Sequence, residues 1–320
     1  MNTISTHRWT LIGLLALALL APNWATAQVT FSRIVVFGTS LSDPGNAFAL
    51  TRRQSTPPYA NLDTLLVPDA PYAHGGHHFS NGATWIEQFA RPLGLAASVR
   101  PAVVGANLGA SNYAVGGARA REDGASFDLS LQVDSFLSDV GGMAPADALY
   151  VVEMGGNDIR DALAAGPAGG AAIIADALAA IGANIEVLYT AGARHFLVTN
   201  GPNLGLTPAV RILDTFNPGA AQLAEAFSQL FNTGLEGVLA GLELLPGIEV
   251  ARLDLYQKLT ELVADPQAFG LSEAEGACIT PEVPPFTCKT ADDFLFWDGI
   301  HPTRTGHAIF AQETVFALTQ

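Results

Sequence analysis

Short apolar runs of strand length alternate with longer helical stretches along this chain, and no other feature restricts its fold more. Apolar runs that end in Gly or Asn are typical of parallel strands covered by helices on both sheet faces. Their alternation with helices predicts an α/β fold in which right-handed crossovers join the strands of a parallel sheet. The five predicted strands are residues 33–37, 102–106, 148–153, 195–199 and 248–253, and the predicted helices include 83–89, 170–191 and 220–239.

A serine, a glycine and an asparagine follow the first three predicted strands. Ser40 comes after the first strand, Gly117 after the second and Asn157 after the third. Ligands of open parallel sheets bind beyond the carboxyl ends of the strands. We therefore expect these three residues to meet at one edge of the sheet and to form a site there.

The residues at the two ends of the chain suggest a nucleophile and its base. Ser40 lies where a strand gives way to a helix, a turn that exposes the hydroxyl, although a serine there is also an ordinary helix N-cap. Asp298 and His301 are three residues apart, so both fit on one turn. We expect His301 to be the base for Ser40 and Asp298 to orient its imidazole. The alternative is an incidental histidine in a surface loop.

Gly117 and Asn157 are candidate donors to an oxyanion. A glycine lets the backbone approach a tetrahedral intermediate closely, and an asparagine amide adds a directed N–H group. The alternatives are a tight turn at Gly117 and a turn or helix cap at Asn157, a role that Asp158 could share.

The first 27 residues are interpreted as a signal peptide ahead of a single domain over residues 28–320. Arg8 supplies positive charge, residues 11–20 form an apolar run, and Ala-Thr-Ala before Gln28 resembles a cleavage site. The run is short for a membrane span, with a retained anchor as the alternative. We expect a secreted or periplasmic protein.

Charge and composition exclude several partners. A net charge of -15 argues against nucleic acid and against electrostatic docking on anionic lipid. With 49% hydrophobic and 14% charged residues, the chain can bury a substantial core. We expect no segment after the leader to span a bilayer, and the oligomeric state is open.

Cys278 and Cys288 are the only cysteines of the chain. Export to an oxidising compartment favours a disulfide between them, with two free thiols as the alternative. A metal site there is disfavoured, because no Cys or His partners lie nearby at ligand spacing.

Two long segments, residues 51–81 and 264–293, are expected to be loops that wall or cover the site. The first contains His74, His77 and His78. The two glycines between these histidines favour a flexible solvated loop over a metal site, and a role in shaping the cleft entrance is left open.

Four motifs resemble the conserved blocks of the GDSL, or SGNH, hydrolase superfamily of esterases and lipases. They are Phe-Gly-Thr-Ser-Leu-Ser-Asp at 37–43, Asn-Tyr-Ala-Val-Gly-Gly-Ala at 112–118, Gly-Gly-Asn-Asp at 155–158 and Trp-Asp-Gly-Ile-His-Pro at 297–302. Residues 42–46, 79–82 and 203–208 resemble its lipase-like branch, which includes secreted bacterial esterases, phospholipases, thermolabile-hemolysin-like enzymes and plant GDSL lipases. The resemblance runs from about residue 34 to the C-terminus.

The resemblance implies a three-layer α/β/α sandwich with a five-stranded parallel sheet, similar to flavodoxin. It also implies Ser40 as nucleophile, His301 as base and Asp298 as acid, without a metal or organic cofactor. The implied oxyanion hole combines the N–H groups of Ser40 and Gly117 with the side-chain amide of Asn157. Gly117 fits the family spacing better than Gly116.

At position 39, directly before the serine, the family has its namesake aspartate, whereas this chain has Thr39. That aspartate is not the triad acid, so the catalytic set is complete. Its loss is expected to loosen the turn that holds Ser40, unless position 39 faces solvent and either residue serves.

These residues predict a secreted serine esterase or lipase that hydrolyses acyl esters of a small molecule or a lipid. A carbohydrate acetylesterase with the same mechanism is the first alternative. A catalytically weak binding protein on the same scaffold is the second, because fold does not fix function.

Overall fold

A parallel sheet lies at the centre of the fold. The computed structural model describes residues 31–104 and 109–319. Its main sheet has the strands β1 (Ile34–Gly38), β2 (Leu149–Glu153), β3 (His195–Thr199) and β4 (Glu249–Leu253). They lie in the order β1-β2-β3-β4, every pair is parallel, and Ile34 is opposite Leu149. The carboxyl ends of all four strands therefore lie at one edge.

The helices lie between the strands in sequence, as the alternation predicts. Those in the described residues are α1 (Asn46–Thr51), α2 (Trp85–Ala90), α3 (Leu129–Asp139), α4 (Gly156–Ala191), α5 (Pro208–Phe216), α6 (Ala220–Leu242), α7 (Leu255–Ala264) and α8 (Arg304–Ala317). The predicted helices 83–89 and 220–239 match α2 and α6 closely. The predicted helix 170–191 is the second part of α4, in which the backbone leaves the helical region at Gly166.

Alternate residues of each strand enter two separate cores, which makes the fold three-layered. Val35 and Phe37 of β1 face a core that also contains side chains of α3, α4 and α6. Ile34 and Val36 face the opposite core, to which α2, α7 and α8 contribute. Both faces of every inner strand are covered, which explains why these strands are apolar throughout. The α/β/α class predicted from the sequence is confirmed.

The fifth strand, predicted at residues 102–106, is wrong, and part of it falls outside the described residues. Its place beside β1 is taken by the segment around Asn112, which bonds to β1 without forming a regular strand. Val36 N donates to Ser111 O at 2.9 Å and Tyr113 N donates to Val36 O at 2.8 Å. The Asn112 side chain folds back to accept Ala114 N at 3.0 Å. Local side-chain bonding of this kind competes with a sheet ladder, and apolar periodicity does not report it.

The segment 264–293 is not only a loop. It contains β5 (Glu273–Ala277), which pairs in parallel with β6 (Phe294–Phe296) in a second small sheet. A disulfide joins Cys278, directly after β5, to Cys288. This layer leads into the motif at 297–302.

The segment 51–81 packs on that second layer. Tyr59 and Tyr72 are buried in a cluster with Ile279 and Trp297, and the rings of Tyr72 and Trp297 meet edge to face at 5.7 Å. These aromatic contacts fix the segment beside the end of β6, so it is an ordered wall of the molecule.

One helix departs from the expectation about membrane spans. By length and composition α4 is long and apolar enough to cross a bilayer. One face of α4, with Ile174, Ile181 and Ile185, is buried in the first core. A buried core helix can be equally long and apolar. The burial of this face shows that α4 packs as a core helix.

Candidate active site

Ser40 lies in the turn directly after β1, at the carboxyl edge of the sheet. Its side chain is nearly enclosed, with 8% of the residue exposed. Ser40 Oγ lies 2.8 Å from Nε2 of His301, a residue 261 positions away in the chain. The fold therefore brings the two ends of the chain together at this hydroxyl.

Asp298 lies behind His301 and determines the orientation of its ring. Asp298 Oδ2 lies 2.7 Å from His301 Nδ1, and Asp298 Oδ1 accepts the His301 backbone N–H at 2.8 Å. A carboxylate on this side requires the ring proton on Nδ1, which leaves the Nε2 lone pair for the Ser40 hydroxyl. Both residues are buried, so water does not compete for these bonds.

Tyr72 is a member of this network that sequence reasoning missed. Its hydroxyl donates to Asp298 Oδ2 at 2.8 Å, and the Tyr72 side chain is fully buried. The bond crosses from segment 51–81 to the motif at 297–302, and no local spacing links two residues so far apart. The only sequence signal is an aromatic residue inside a long predicted loop.

The two glycines of the motif at 112–118 differ in their backbone N–H groups: one is hydrogen-bonded and the other is not. Gly116 N donates to Asp43 Oδ2 at 2.8 Å. Gly117 adopts a φ of +83°, which strains any residue with a Cβ. No acceptor for Gly117 N is present among the described residues. The backbone N–H of Ser40 likewise has no acceptor within residues 31–104 and 109–319. The N–H of Gly117, unlike that of Gly116, is thus available to a ligand.

Asn157 lies in the first turn of α4 beside this glycine pair. The helix N-cap is Gly155, so the alternative of a cap at Asn157 is wrong. The Asn157 side chain donates from Nδ2 to Ala118 O at 2.8 Å and accepts Arg160 Nη1 on Oδ1 at 3.3 Å. Its second Nδ2 proton remains for a ligand, because an amide nitrogen carries two.

Comparison with known proteins identifies the family of this chain. The model of the GDSL-like lipase/acylhydrolase family matches residues 34–314. The chain belongs to this family. The family predicted from the four motifs is confirmed.

The relatives of this GDSL-family protein come from plants and bacteria. A GDSL esterase/lipase of Arabidopsis thaliana is 32% identical over 40% of this chain and 38% of its own length, so the match spans less than two thirds of that relative. Another from the same plant is 26% identical over 96% of both chains. The phosphatidylcholine-sterol acyltransferase of Aeromonas hydrophila is 26% identical over 94% of this chain and 93% of its own. A solved extracellular lipase of Streptomyces rimosus is 16% identical, with a TM-score of 0.41, over 89% of this chain and 99% of its own.

Thr39, the departure from the GDSL motif, is buried with 3% of its surface exposed. The alternative that position 39 faces solvent is therefore wrong. Its hydroxyl and its backbone N–H both donate to Glu153, the last residue of β2. Glu153 was not among the predicted site residues, because its carboxylate ends an otherwise apolar run.

A motif of the lipase-like branch secures the histidine segment of this GDSL protein. The Phe79 ring lies 5.3 Å from the His301 ring, and a Cβ at Gly116 would lie 2.1 Å from Phe79. Gly116 is therefore required by close packing and not by φ. Ser80 Oγ donates to Pro302 O at 2.8 Å, which ties this motif to the end of the His301 turn.

The predicted solvated histidine loop is wrong for one of its members. His74 is exposed, but His78 is buried. Burial opposes a charge on His78, yet Glu87 at 2.8 Å outweighs burial and raises the pKa of His78. Within the described residues, no group of three or more His, Cys, Asp or Glu side chains is arranged to hold a metal ion.

Proposed function

We propose that the protein is an exported serine esterase or lipase in which Ser40 is the nucleophile, His301 the base and Asp298 the acid. The observation that carries the proposal is the continuous hydrogen-bonded chain from Asp298 through His301 to Ser40, with distances of 2.7 and 2.8 Å. Side chains from opposite ends of the sequence meet there in the order that acyl transfer needs.

In the proposed acylation, Ser40 Oγ attacks the ester carbonyl while its proton passes to His301 Nε2. Asp298 stabilises the imidazolium that forms, because its carboxylate already holds Nδ1. The carbonyl oxygen gains negative charge, and the N–H groups of Ser40 and Gly117 and the Asn157 amide are the donors we assign to it. His301 then returns the proton to the leaving alcohol.

In the proposed deacylation, water takes the place of the alcohol. His301 Nε2 removes a proton from the water, the hydroxide attacks the acyl carbonyl, and the Ser40 oxygen leaves with that proton. The carboxylic acid departs and the enzyme is restored. The protein's own groups suffice for every step.

The substrate class we propose is an acyl ester of a small molecule or a lipid. Buried apolar side chains of Ala47, Phe79 and Val115 cluster at the nucleophile turn, the turn of residues 38–47 that carries Ser40. Phe79 also contacts the His301 ring. An apolar wall beside the base favours a hydrocarbon acyl chain. The name of the Aeromonas relative, an acyltransferase of phosphatidylcholine and sterol, is consistent with a lipid ester. A sugar acetate is the competing substrate.

The decisive experiment replaces Ser40 by alanine and labels the wild-type enzyme with a fluorophosphonate. We expect a loss of roughly 10⁴–10⁶ in kcat on p-nitrophenyl esters, with an unchanged melting temperature. The adduct should map to Ser40, and EDTA should leave the rate unchanged. Retention of a tenth of the activity by folded S40A would sink the proposal.

Paired histidine variants provide the matched control. His301→Gln should abolish turnover, whereas His195→Gln should leave it intact. His195 begins β3 at the opposite edge of the sheet, where it pairs with Glu249 at 2.8 Å. A panel of acyl esters from acetyl to palmitoyl, with a phospholipid and an acetylated sugar, then distinguishes the substrate classes.

A further inference from the structure

A buried carboxylate with no assigned role lies behind the nucleophile turn. Glu153 is the last residue of β2, directly opposite Gly38 at the end of β1. Only 3% of Glu153 is exposed. Its side chain therefore lies between the two strand ends, on the inner side of the turn that carries Ser40.

Glu153 holds Thr39 by both of its donors. Thr39 N donates to Glu153 Oε2 at 2.9 Å, and Thr39 Oγ1 lies 2.9 Å from Oε1 and 3.1 Å from Oε2. The Ser42 hydroxyl also hydrogen-bonds to this carboxyl. The fit leaves little room, since a Cβ at Gly38 would lie 3.0 Å from Glu153 Oε2. One carboxylate thus accepts hydrogen bonds from Thr39 and Ser42, which lie on either side of Ser40 in the chain.

The carboxylate lacks a compensating cation. No Lys, Arg or His in the described ranges forms an ion pair with Glu153. Burial raises the pKa of Glu153 to about 7, although the donors from Thr39 and Ser42 lower it. An unpaired buried carboxylate lowers stability. A core that only needed packing would be better served by an apolar residue.

We propose that Glu153 is a positioning residue for the nucleophile, and that it supplies from β2 the carboxylate that the GDSL motif carries at position 39. The inference rests on the proposed role of Ser40. Thr39 and Glu153 form a matched pair: the turn residue is the donor and the strand residue the acceptor. These hydrogen bonds fix the backbone at Thr39 and thereby the direction of the Ser40 hydroxyl and N–H. Misplacement of a reacting group by about 1 Å costs as much as 10²-fold in rate.

The first test is Glu153→Gln, which keeps the shape but removes the charge and one acceptor. We expect kcat at pH 8 to fall roughly tenfold with little change in KM, because the change affects the positioning of Ser40 and not substrate contacts. The wild-type to E153Q ratio of kcat should shrink between pH 8 and pH 6, as Glu153 itself becomes neutral. Groups that titrate alike in both proteins cancel in this ratio. A ratio that is constant over this range would overturn the inference in favour of a purely structural role.

The second test moves the carboxylate back to the turn. Thr39→Asp alone places two carboxylates in contact with no cation, so it should lower both kcat and the melting temperature at pH 8. Adding Glu153→Gln leaves a single carboxylate, now at position 39 with an amide donor opposite. The double variant T39D/E153Q should regain at least tenfold in kcat over T39D. A double variant no better than T39D would contradict the matched pair, even if T39D itself folds poorly.

Asp128→Asn is the control for loss of a buried carboxylate as such. Asp128 is 4% exposed and caps α3 through the Leu131 N–H, and asparagine caps a helix equally well. D128N should therefore keep wild-type kcat. If E153Q also keeps it while S40A is inactive, the positioning role falls and the esterase mechanism stands. If S40A remains active, the mechanism itself falls.

Discussion

The nucleophile turn and the oxyanion rim lie at the same edge of the sheet but are held together by different forces. The nucleophile turn, residues 38–47, is bound by two buried carboxylates, Asp43 and Glu153, that accept mainly neutral N–H and O–H donors. The oxyanion rim, residues 116–121 with 157–161, is bound by arginine–aspartate pairs. Arg121 lies 2.7 Å from Asp158 and 2.6 Å from Asp161.

Asp43 of the nucleophile turn and Asp161 of the rim respond to pH in opposite directions. Burial raises the pKa of Asp43 to about 6, against four backbone N–H bonds. At Asp161 burial acts in the same sense, but the hydrogen bonds from Arg119 and Arg121 outweigh it and lower the pKa. The stabilisation from Asp43 is therefore lost as Asp43 ionises, whereas the stabilisation from Asp161 requires the ionised carboxylate. At Asp158, the other carboxylate of the rim, burial outweighs Arg121 and raises the pKa. A carboxylate bound only by neutral donors thus favours acid pH, and a carboxylate paired with two arginines favours neutral pH.

The rim contributes most directly through Asn157, so the largest expected effect is there. Asn157→Ala removes a proposed oxyanion donor and should lower kcat by roughly 10²–10³ with a small change in KM. Asn184→Ala is the matched control, because Asn184 is a buried asparagine of the same helix whose amide donates to Ala180 O. Steady-state kinetics of both variants provide the comparison, and equal rates would remove Asn157 from the oxyanion hole.

Replacing one arginine of the rim should lower the stability of the protein. Arg121→Gln leaves Asp158, which is fully buried, without its ion-pair partner. We expect the free energy of unfolding to fall by about 3 kcal/mol at neutral pH, since breaking a buried pair strands a charge. Urea unfolding measures this effect, with Arg194→Gln as a control away from the rim. A loss below about 0.5 kcal/mol would mean that these pairs stabilise the protein no more than exposed surface ion pairs do.

The nucleophile turn should be recognisable by its pH dependence. Burial raises the pKa of Asp43 from its usual 3.8 to about 6 in the folded protein, so the folded protein binds an extra proton between these values. This stabilisation is complete below pH 3.8 and is lost as pH rises through about 6. Asp43→Asn should remove a slope worth on the order of 3 kcal/mol over that window. Unfolding at pH 4, 5, 6 and 7 measures it, and parallel curves for the two proteins would contradict the assignment.

The smallest expected effect concerns Arg160, a residue of the rim that contacts the proposed oxyanion donor Asn157. Its hydrogen bond to Asn157 Oδ1 is long, at 3.3 Å. Burial lowers the pKa of Arg160, with Arg119 adding to the effect. Arg160→Met should free the amide to rotate and lower kcat by about threefold, whereas Arg160→Lys should recover part of the loss. A fall in KM alone would instead assign Arg160 to substrate binding.

Most of the fold could be predicted because the inner strands carry their own signal. Val35, Val151 and Leu197 belong to apolar runs that only a doubly covered parallel strand explains, and β3 has the predicted bounds. The edge of the sheet could not be predicted in this way. The segment at Asn112 bonds to β1 through the Ser111 hydroxyl, which donates to Ile34 O, as well as through backbone. Its place in the sheet therefore depends on partners that are distant in sequence.

The candidate site shows the same division. The sequence by itself determined the residue types of Ser40, Asp298 and His301 and the order of the motifs that carry them, because chemistry restricts those positions whatever surrounds them. Only the tertiary structure decided the supporting contacts: that Asp43 engages Gly116 N, and that Glu153 grips Thr39. Long-range hydrogen bonds join residues with no common spacing or periodicity. Their energies depend on burial, which a chain acquires only when its layers pack together.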